Sequence, residues 1–310
     1  MNRLGFQVDT KITEFLKQKS FTLSAEIIPP RNGTEQAKVL DLVQSLIQSG
    51  AQFLSVTKGA GGSLRGGSLP IAQTIKDNFK VPCIAHFTCR DLTPQEIENQ
   101  LVDHHYFGVR NILALRGDPP VGQPEWDAKE GSYHYAYELI EQIKKLNNGI
   151  YLPRDGGPQA DEQLKLDFCI GCAVYPEHPN PQERIDFLKR KVDAGAEYAI
   201  TQMIFDPNVY EDLLNDCAKS GISIPILPGT RLLKSKKQAL RMQSRFNVSV
   251  PQSYLEALPD DPASPQSKEE ACELFLSFVD QLRKLGAPGL HLFVLSDKTG
   301  ACTVLTNLAD

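Results

Sequence analysis

What most constrains this chain is an alternation. Apolar, strand-like runs fall at residues 21–28, 53–56, 82–89, 111–117, 167–174, 198–205, 224–230 and 290–295. Helix-like segments lie among them at 35–49, 69–79, 94–107, 134–147, 181–195, 207–220, 234–245 and 267–285. Strands covered on both faces read as continuous apolar runs rather than as alternating ones, and these do. Eight strand–helix units therefore predict a closed (β/α)8 TIM barrel in the α/β class. The alternative is an open, doubly wound sheet, but no Gly-x-Gly-x-x-Gly follows the first run to support dinucleotide binding of that kind. A barrel takes about 250 residues, so the 310 here leave room for extensions. The reading is one domain over 1–310, with an N-terminal helical extension over 1–20. Two polar excursions, 147–165 and 246–266, hold too few apolar residues to be domains. Thr93-Pro94-Gln95-Glu96 and Asn180-Pro181-Gln182-Glu183 each put a capping side chain before a proline at the first helical position.

Composition narrows the partners. A net charge of -5, with only short basic runs at 189–191 and 234–237, gives no electrostatic footprint for nucleic acid. No apolar stretch reaches the roughly 20 residues of a membrane span. The start MNRLGFQVDTKITEF lacks the apolar core of a secretory signal, so the expected location is cytoplasmic. Seven cysteines, odd in number and scattered, argue against a disulfide framework. Cys169 and Cys172 have redox or zinc spacing, yet they sit inside an apolar run with no second pair. They are read as small buried residues, and no metal site is expected.

In a barrel of this kind function sits at the carboxyl ends of the strands. Glu26 lies near the end of the first run, Thr57 to Gly62 follow the second, and His86 and Thr88 come late in the third. Arg116-Gly117-Asp118 closes the fourth, Tyr175 to His178 follow the fifth, Gln202 and Phe205 end the sixth, and Pro228 to Arg231 end the seventh. Taken singly, each has an ordinary explanation. A glutamate inside a strand could serve an internal ion pair, although burying a carboxylate is costly unless it is paired. His86 could be a hydrogen-bonded core histidine, and Gly-Asp-Pro is turn chemistry. Gln202 needs partners for its amide, which a ligand can supply. The glycine-rich loop 59–67 suits an anion cradle or simple flexibility. The weight comes from their convergence on one rim.

The stretches SAEIIPPR, SVTKGAGG, HFTC, ALRGDPP, YPEHP and LKRKVDAGAEYAITQMIFD, in this order, resemble the methylenetetrahydrofolate reductase family over residues 20 to 245. The resemblance implies a barrel bearing FAD that reduces 5,10-methylenetetrahydrofolate to 5-methyltetrahydrofolate. It implies reduction of the flavin by NAD(P)H or by an electron-donating partner protein, with folate then taking the donor's place. It makes Glu26 the general acid that opens the folate's five-membered ring, an acid whose pKa an apolar setting would raise. Asp118 becomes the second catalytic residue, beside flavin and pterin, and Gln202 grips the pterin edge. Met242 falls on a substrate-side position that is usually aromatic. Thr57, His86, Leu115, Arg116, Gly117, Asp118, Tyr135, Ala136, Tyr175, His178, Arg190 and Lys191 fall on flavin positions, the last two toward the pyrophosphate. A homo-oligomer is expected. Lys58, Arg184, Phe187 and Val294 to Asp297 depart from the family pattern. The rival readings are a folate-binding barrel methyltransferase without a redox step and a partner-dependent subunit of a larger complex.

Overall fold

Eight parallel strands close into a barrel in the order β1 to β8, each bonded to its chain neighbours and β8 back to β1. They are β1 (Thr22–Ile27), β2 (Phe53–Val56), β3 (Cys83–Thr88), β4 (Asn111–Leu115), β5 (Cys169–Val174), β6 (Tyr198–Met203), β7 (Ile226–Thr230) and β8 (Gly289–Phe293). The computed structural model describes residues 1–18, 21–30, 33–59, 61, 66–120, 122–123, 127–128, 130–153 and 164–309. The helices are α1 (Ile12–Gln18), α2 (Gln36–Gln48), α3 (Ser68–Thr74, extended by a π turn over Ile75–Phe79), α4 (Pro94–Tyr106), α5 (Ala136–Asn147), α6 (Pro181–Ala194), α7 (Pro207–Lys219), α8 (Lys236–Phe246), α9 (Gln252–Ala257), α10 (Pro265–Lys284) and α11 (Lys298–Ala309).

Two apolar cores follow from the period-2 alternation of strand side chains. Outward residues such as Ala25, Leu54, Phe87 and Ile170 join the inner faces of the surrounding helices in one cluster. Inward residues Phe53, Ile84, Leu113, Cys169, Tyr198, Ile200 and Leu227 form a second cluster inside the barrel. Ile12 and Leu16 of α1 belong to that second cluster, so the N-terminal helix seals the amino end of the barrel. The seal is pinned by Asn111, whose Oδ1 accepts from Ile12 N at 2.8 Å and whose Nδ2 donates to Thr10 O at 2.9 Å. Within the expected helical extension over 1–20, the described residues form a helix over 12–18 that packs into the barrel.

The eighth unit is closed by α11, whose composition hid it. KTGACTVLTNLA holds three threonines and a glycine, which are weak helix formers. Its buried Ala301, Val304, Leu305 and Leu308 nevertheless keep helical spacing. The excursion after α8 likewise contains a short helix, α9, seated through Tyr254. Cys169 and Cys172 are buried free thiols. Among the described residues no group of three or more His, Cys, Asp or Glu is placed to hold a metal ion, and no helix is long and apolar enough to cross a membrane.

The start of α4 matches its sequence signal. Thr93 Oγ1 accepts from Glu96 N at 3.3 Å, Glu96 Oε2 accepts from Thr93 N at 2.7 Å, and Pro94 takes the first helical position. Thr93→Ala is expected to lower stability by about 1 kcal/mol, read as a shifted denaturant midpoint at constant slope.

Candidate active site

The mouth is built at the carboxyl ends of the strands. On the inner face of β1, Glu26 Oε2 lies 3.5 Å from His86 Nε2 of β3, and the two side chains are only 12% and 7% exposed. That distance is too long for a hydrogen bond, and the buried Nε2 of His86 has no partner. Among the described residues no cation compensates Glu26; burial pushes its carboxyl up from 4.5 to about 8. Burial, reinforced by the nearby His291, pulls His86 down to about 3. Both groups are therefore neutral at pH 7, and Glu26 holds a proton it can give away. Beneath them His291 of β8 is fixed by Ser24 Oγ at 2.8 Å and Ser55 Oγ at 3.3 Å, a buried polar layer under the acid.

Gln202 sits where β6 departs from regular pairing. Ile200 pairs with Leu227 but Met203 pairs with Gly229, so β6 spends one extra residue between the two pairs. Irregularities of this kind re-aim side chains beside active sites. Thr201 fills the gap by accepting from Gly229 N at 2.8 Å. The Oε1 of Gln202 accepts from Met203 N at 2.9 Å, which leaves its Nε2 without a protein partner among the described residues.

Arg116, Gly117 and Asp118 follow the last residue of β4, Leu115, which is half-buried. Asp118 Oδ2 accepts from Gly61 N at 2.9 Å, and its carbonyl accepts from Arg90 Nη1. It thereby ties the turn after β4 to the glycine-rich segment after β2. Residues 60 and 62–65 of that segment, and with them most of the expected anion cradle, lie outside the described residues. Gly117 needs a different explanation from close approach by a cofactor. Its φ is 96°, and a Cβ there would stand 2.9 Å from Arg90 Cβ and 3.3 Å from Thr88 Cβ. Backbone conformation and packing on β3 both demand glycine. Tyr175, which follows β5, is exposed at the rim within reach of the charges of Asp118 and Arg116.

Thr57 is buried, and its Oγ1 lacks a partner. Farther round the rim Tyr135, just ahead of Ala136 at the start of α5, stacks on Tyr137 at 5.2 Å and 9° and meets Phe187 of α6 at 5.9 Å. The guanidinium of Arg190 lies 5.8 Å from the Tyr137 ring and 6.0 Å from that of Phe187. Lys191 is turned inward, donating to Ala173 O at 2.7 Å. His178 Nδ1 is engaged by the backbone of Asn180. Of the residues that depart from the family pattern, Phe187 extends this aromatic face. Arg184 is occupied by Pro176 O and Asp216. Lys58 points outward from the barrel, bonded to Gln100 Oε1 at 2.9 Å and 4.2 Å from the Phe87 ring centroid. Met242 is buried on α8 with its Sδ 3.9 Å from Arg231 Nη1.

A flavin fits this rim on two observations. Two buried polar atoms, Thr57 Oγ1 and His86 Nε2, lack protein partners at the barrel top. An aromatic face crowned by an exposed arginine lies alongside. Buried orphan donors and acceptors are rare without a ligand to meet them. Reasoning from residue type did not single out His291, Ser24 or Ser55, because only strand register shows that they share one layer.

Comparison with known proteins gives the family. A family model described as methylenetetrahydrofolate reductase matches residues 11–309. The chain is 30% identical over 309 residues to methylenetetrahydrofolate reductase (NADH) 1 of Arabidopsis thaliana, covering 97% of this chain and 50% of that protein. It is 31% identical over 288 residues to the 5,10-methylenetetrahydrofolate reductase of Escherichia coli, covering 90% of this chain and 88% of that protein. The chain thus spans about half the length of the plant relative and most of the bacterial one. Among solved structures, a Clostridium thermocellum protein described as binding two copies of 5-methyl-5,6,7,8-tetrahydrofolic acid has a TM-score of 0.59 at 15% identity, over 97% of this chain and 99% of that one. At that identity the likeness is one of fold.

Proposed function

Since the chain belongs to the methylenetetrahydrofolate reductase family, we propose that it reduces 5,10-methylenetetrahydrofolate to 5-methyltetrahydrofolate with FAD as its prosthetic group. The observation that carries the reading is Glu26, a carboxyl buried at the mouth with no cation beside it among the described residues and held neutral at pH 7. A binding platform has no use for such a group, whereas ring opening of the folate needs a proton donor at neutral pH. In this reading Glu26 donates its proton to the ring nitrogen that leaves the methylene bridge, producing the reactive iminium. Gln202 offers its unpartnered Nε2 to the pterin edge, and Asp118 faces the cation with a negative charge. Met242 lines the substrate side. Flavin, when bound, supplies the hydride. Thr57, His86, Leu115, Arg116, Gly117, Asp118, Tyr175 and His178 hold the ring and ribityl end, and Tyr135, Ala136, Arg190 and Lys191 hold the rest. Thr57 Oγ1 and His86 Nε2 are the natural hydrogen-bonding atoms for it, because no other described residue partners them. A reduced nicotinamide is the proposed electron donor.

The test is spectroscopic. The purified protein, supplemented with FAD, is titrated anaerobically with NADH and with NADPH, then with methylenetetrahydrofolate. The expected result is a flavin band bleached by one or both nicotinamides and restored by the folate. A band bleached only after addition of a partner protein would move the donor assignment to that partner. A band that folate never restores would end the reductase reading.

A further inference from the structure

Arg231, the residue after β7, is 6% exposed and has no carboxylate within ion-pair distance among the described residues. Among the described residues its one side-chain hydrogen-bond contact is Nη1 to Met242 Sδ at 3.9 Å, and its buried Nε has no partner. The nearest countercharge is Asp297, which stands off and is already committed. Its Oδ1 takes Lys234 Nζ at 2.6 Å and Gly300 N at 3.0 Å. Guanidinium groups are almost never buried unpaired, because the desolvation cost is several kcal/mol unless an anion or several acceptors offset it.

Its place in the fold says which ligand would do so. Leu227 belongs to the barrel interior and Gly229 faces the ring of Phe293, so Arg231 continues the inward side of β7 at period 2. Thr230 pairs with Leu292, and Phe293 pairs with Glu26, so Arg231 stands two strands from the acid, level with it and with only β8 between them. On its other side lies β6 with Gln202. The flavin positions occupy β2 to β5; Arg231 therefore belongs to the half of the mouth where the pterin is placed. Lys234 and Asp297 beside it are 27% and 19% exposed, so this corner opens to solvent.

Resting on the function proposed above, we infer that Arg231, seconded by Lys234, anchors the anionic end of the substrate, a carboxylate of the glutamate carried by the folate. A planar guanidinium fork matches a carboxylate in two parallel hydrogen bonds. Lys234 is the adjoining cation, able to exchange Asp297 for a second carboxylate. This would make the chain selective for glutamylated pterins over bare ones.

Calorimetric titration of the oxidised holoprotein with 5-methyltetrahydrofolate and with 5-methyltetrahydropteroate, which lacks the glutamate, tests the assignment. The wild type is expected to bind the glutamylated ligand about 10- to 100-fold more tightly. Arg231→Met should erase that preference while leaving the pteroate affinity within about twofold, and Arg231→Lys should keep part of it. Equal affinity of the wild type for both ligands would overturn the inference even if Arg231→Met fails to fold. So would an equal loss for both ligands in the variant. A loss confined to NADH titrated in parallel would assign the anion to a nucleotide phosphate and overturn the carboxylate. Wild-type protein that binds neither pterin would instead refute the underlying folate reading.

Discussion

Glu26→Gln is expected to cut methylenetetrahydrofolate reduction by about 10² to 10⁴-fold while leaving flavin reduction by the nicotinamide unchanged. The amide keeps the shape and the neutrality of the protonated acid, so nothing else at the mouth has reason to move. What disappears is the transferable proton. Separate half-reactions in a stopped-flow instrument check this, since only the folate half should slow. A wild-type rate in that half would remove Glu26 from the mechanism. The pH dependence follows from the same burial. Because the carboxyl titrates at about 8, the folate half-reaction should fall as pH rises through that value, and the glutamine variant should lose that limb. Stability carries the matching sign. A carboxyl raised from 4.5 to about 8 contributes fully to stability below 4.5 and loses that contribution as pH rises through 8. Glu26→Gln should therefore melt above the wild type at pH 9, with the gap closing toward pH 4.5.

Tyr198→Ala should cost about 3 to 5 kcal/mol in denaturant unfolding, the range for emptying an aromatic site in a core. Tyr198 is fully buried inside the barrel, and its ring occupies the space that a side chain on Gly171 of the neighbouring strand would need. A Cβ on Gly171 would fall 2.2 Å from the ring. The two residues are therefore one fitted pair, large on β6 and absent on β5. The hydroxyl contributes nothing, since it is buried without a partner. Tyr198→Phe should thus lose no stability and gain about 1 kcal/mol by removing an unsatisfied group. A loss below about 1 kcal/mol in the alanine variant would mean that the interior collapses to fill the gap.

The pair also shows why part of this molecule was legible in the sequence and part was not. Strand–helix alternation is a local signal, and it carried the barrel with all eight strands. A charge or amide at the end of an apolar run is local too, which is why Glu26, Asp118 and Gln202 stood out. What stayed hidden depends on register. Only the pairing of β1 with β8 brings Ser24 beside His291, and only the pairing of β6 with β7 reveals the extra residue that β6 spends beside Gln202. Arg231 looked like one more polar residue at a strand end; its isolation shows only once every neighbouring carboxylate has been placed. Helix α11 was missed because its threonines and glycine weaken the propensity signal, although its buried positions were correctly spaced. Gly117 was noticed for one reason and is required for another, its packing against Arg90.

The plug formed by α1 has a consequence for traffic. With Ile12 and Leu16 filling the amino end and Tyr198 stacked above them, the barrel is a cup with a single doorway. In the proposed reaction the nicotinamide and the pterin would therefore enter by the same end, one leaving before the other comes in. For the proposed reaction, such a closed floor fits a carrier held at the mouth that keeps the electrons between the donor's visit and the folate's.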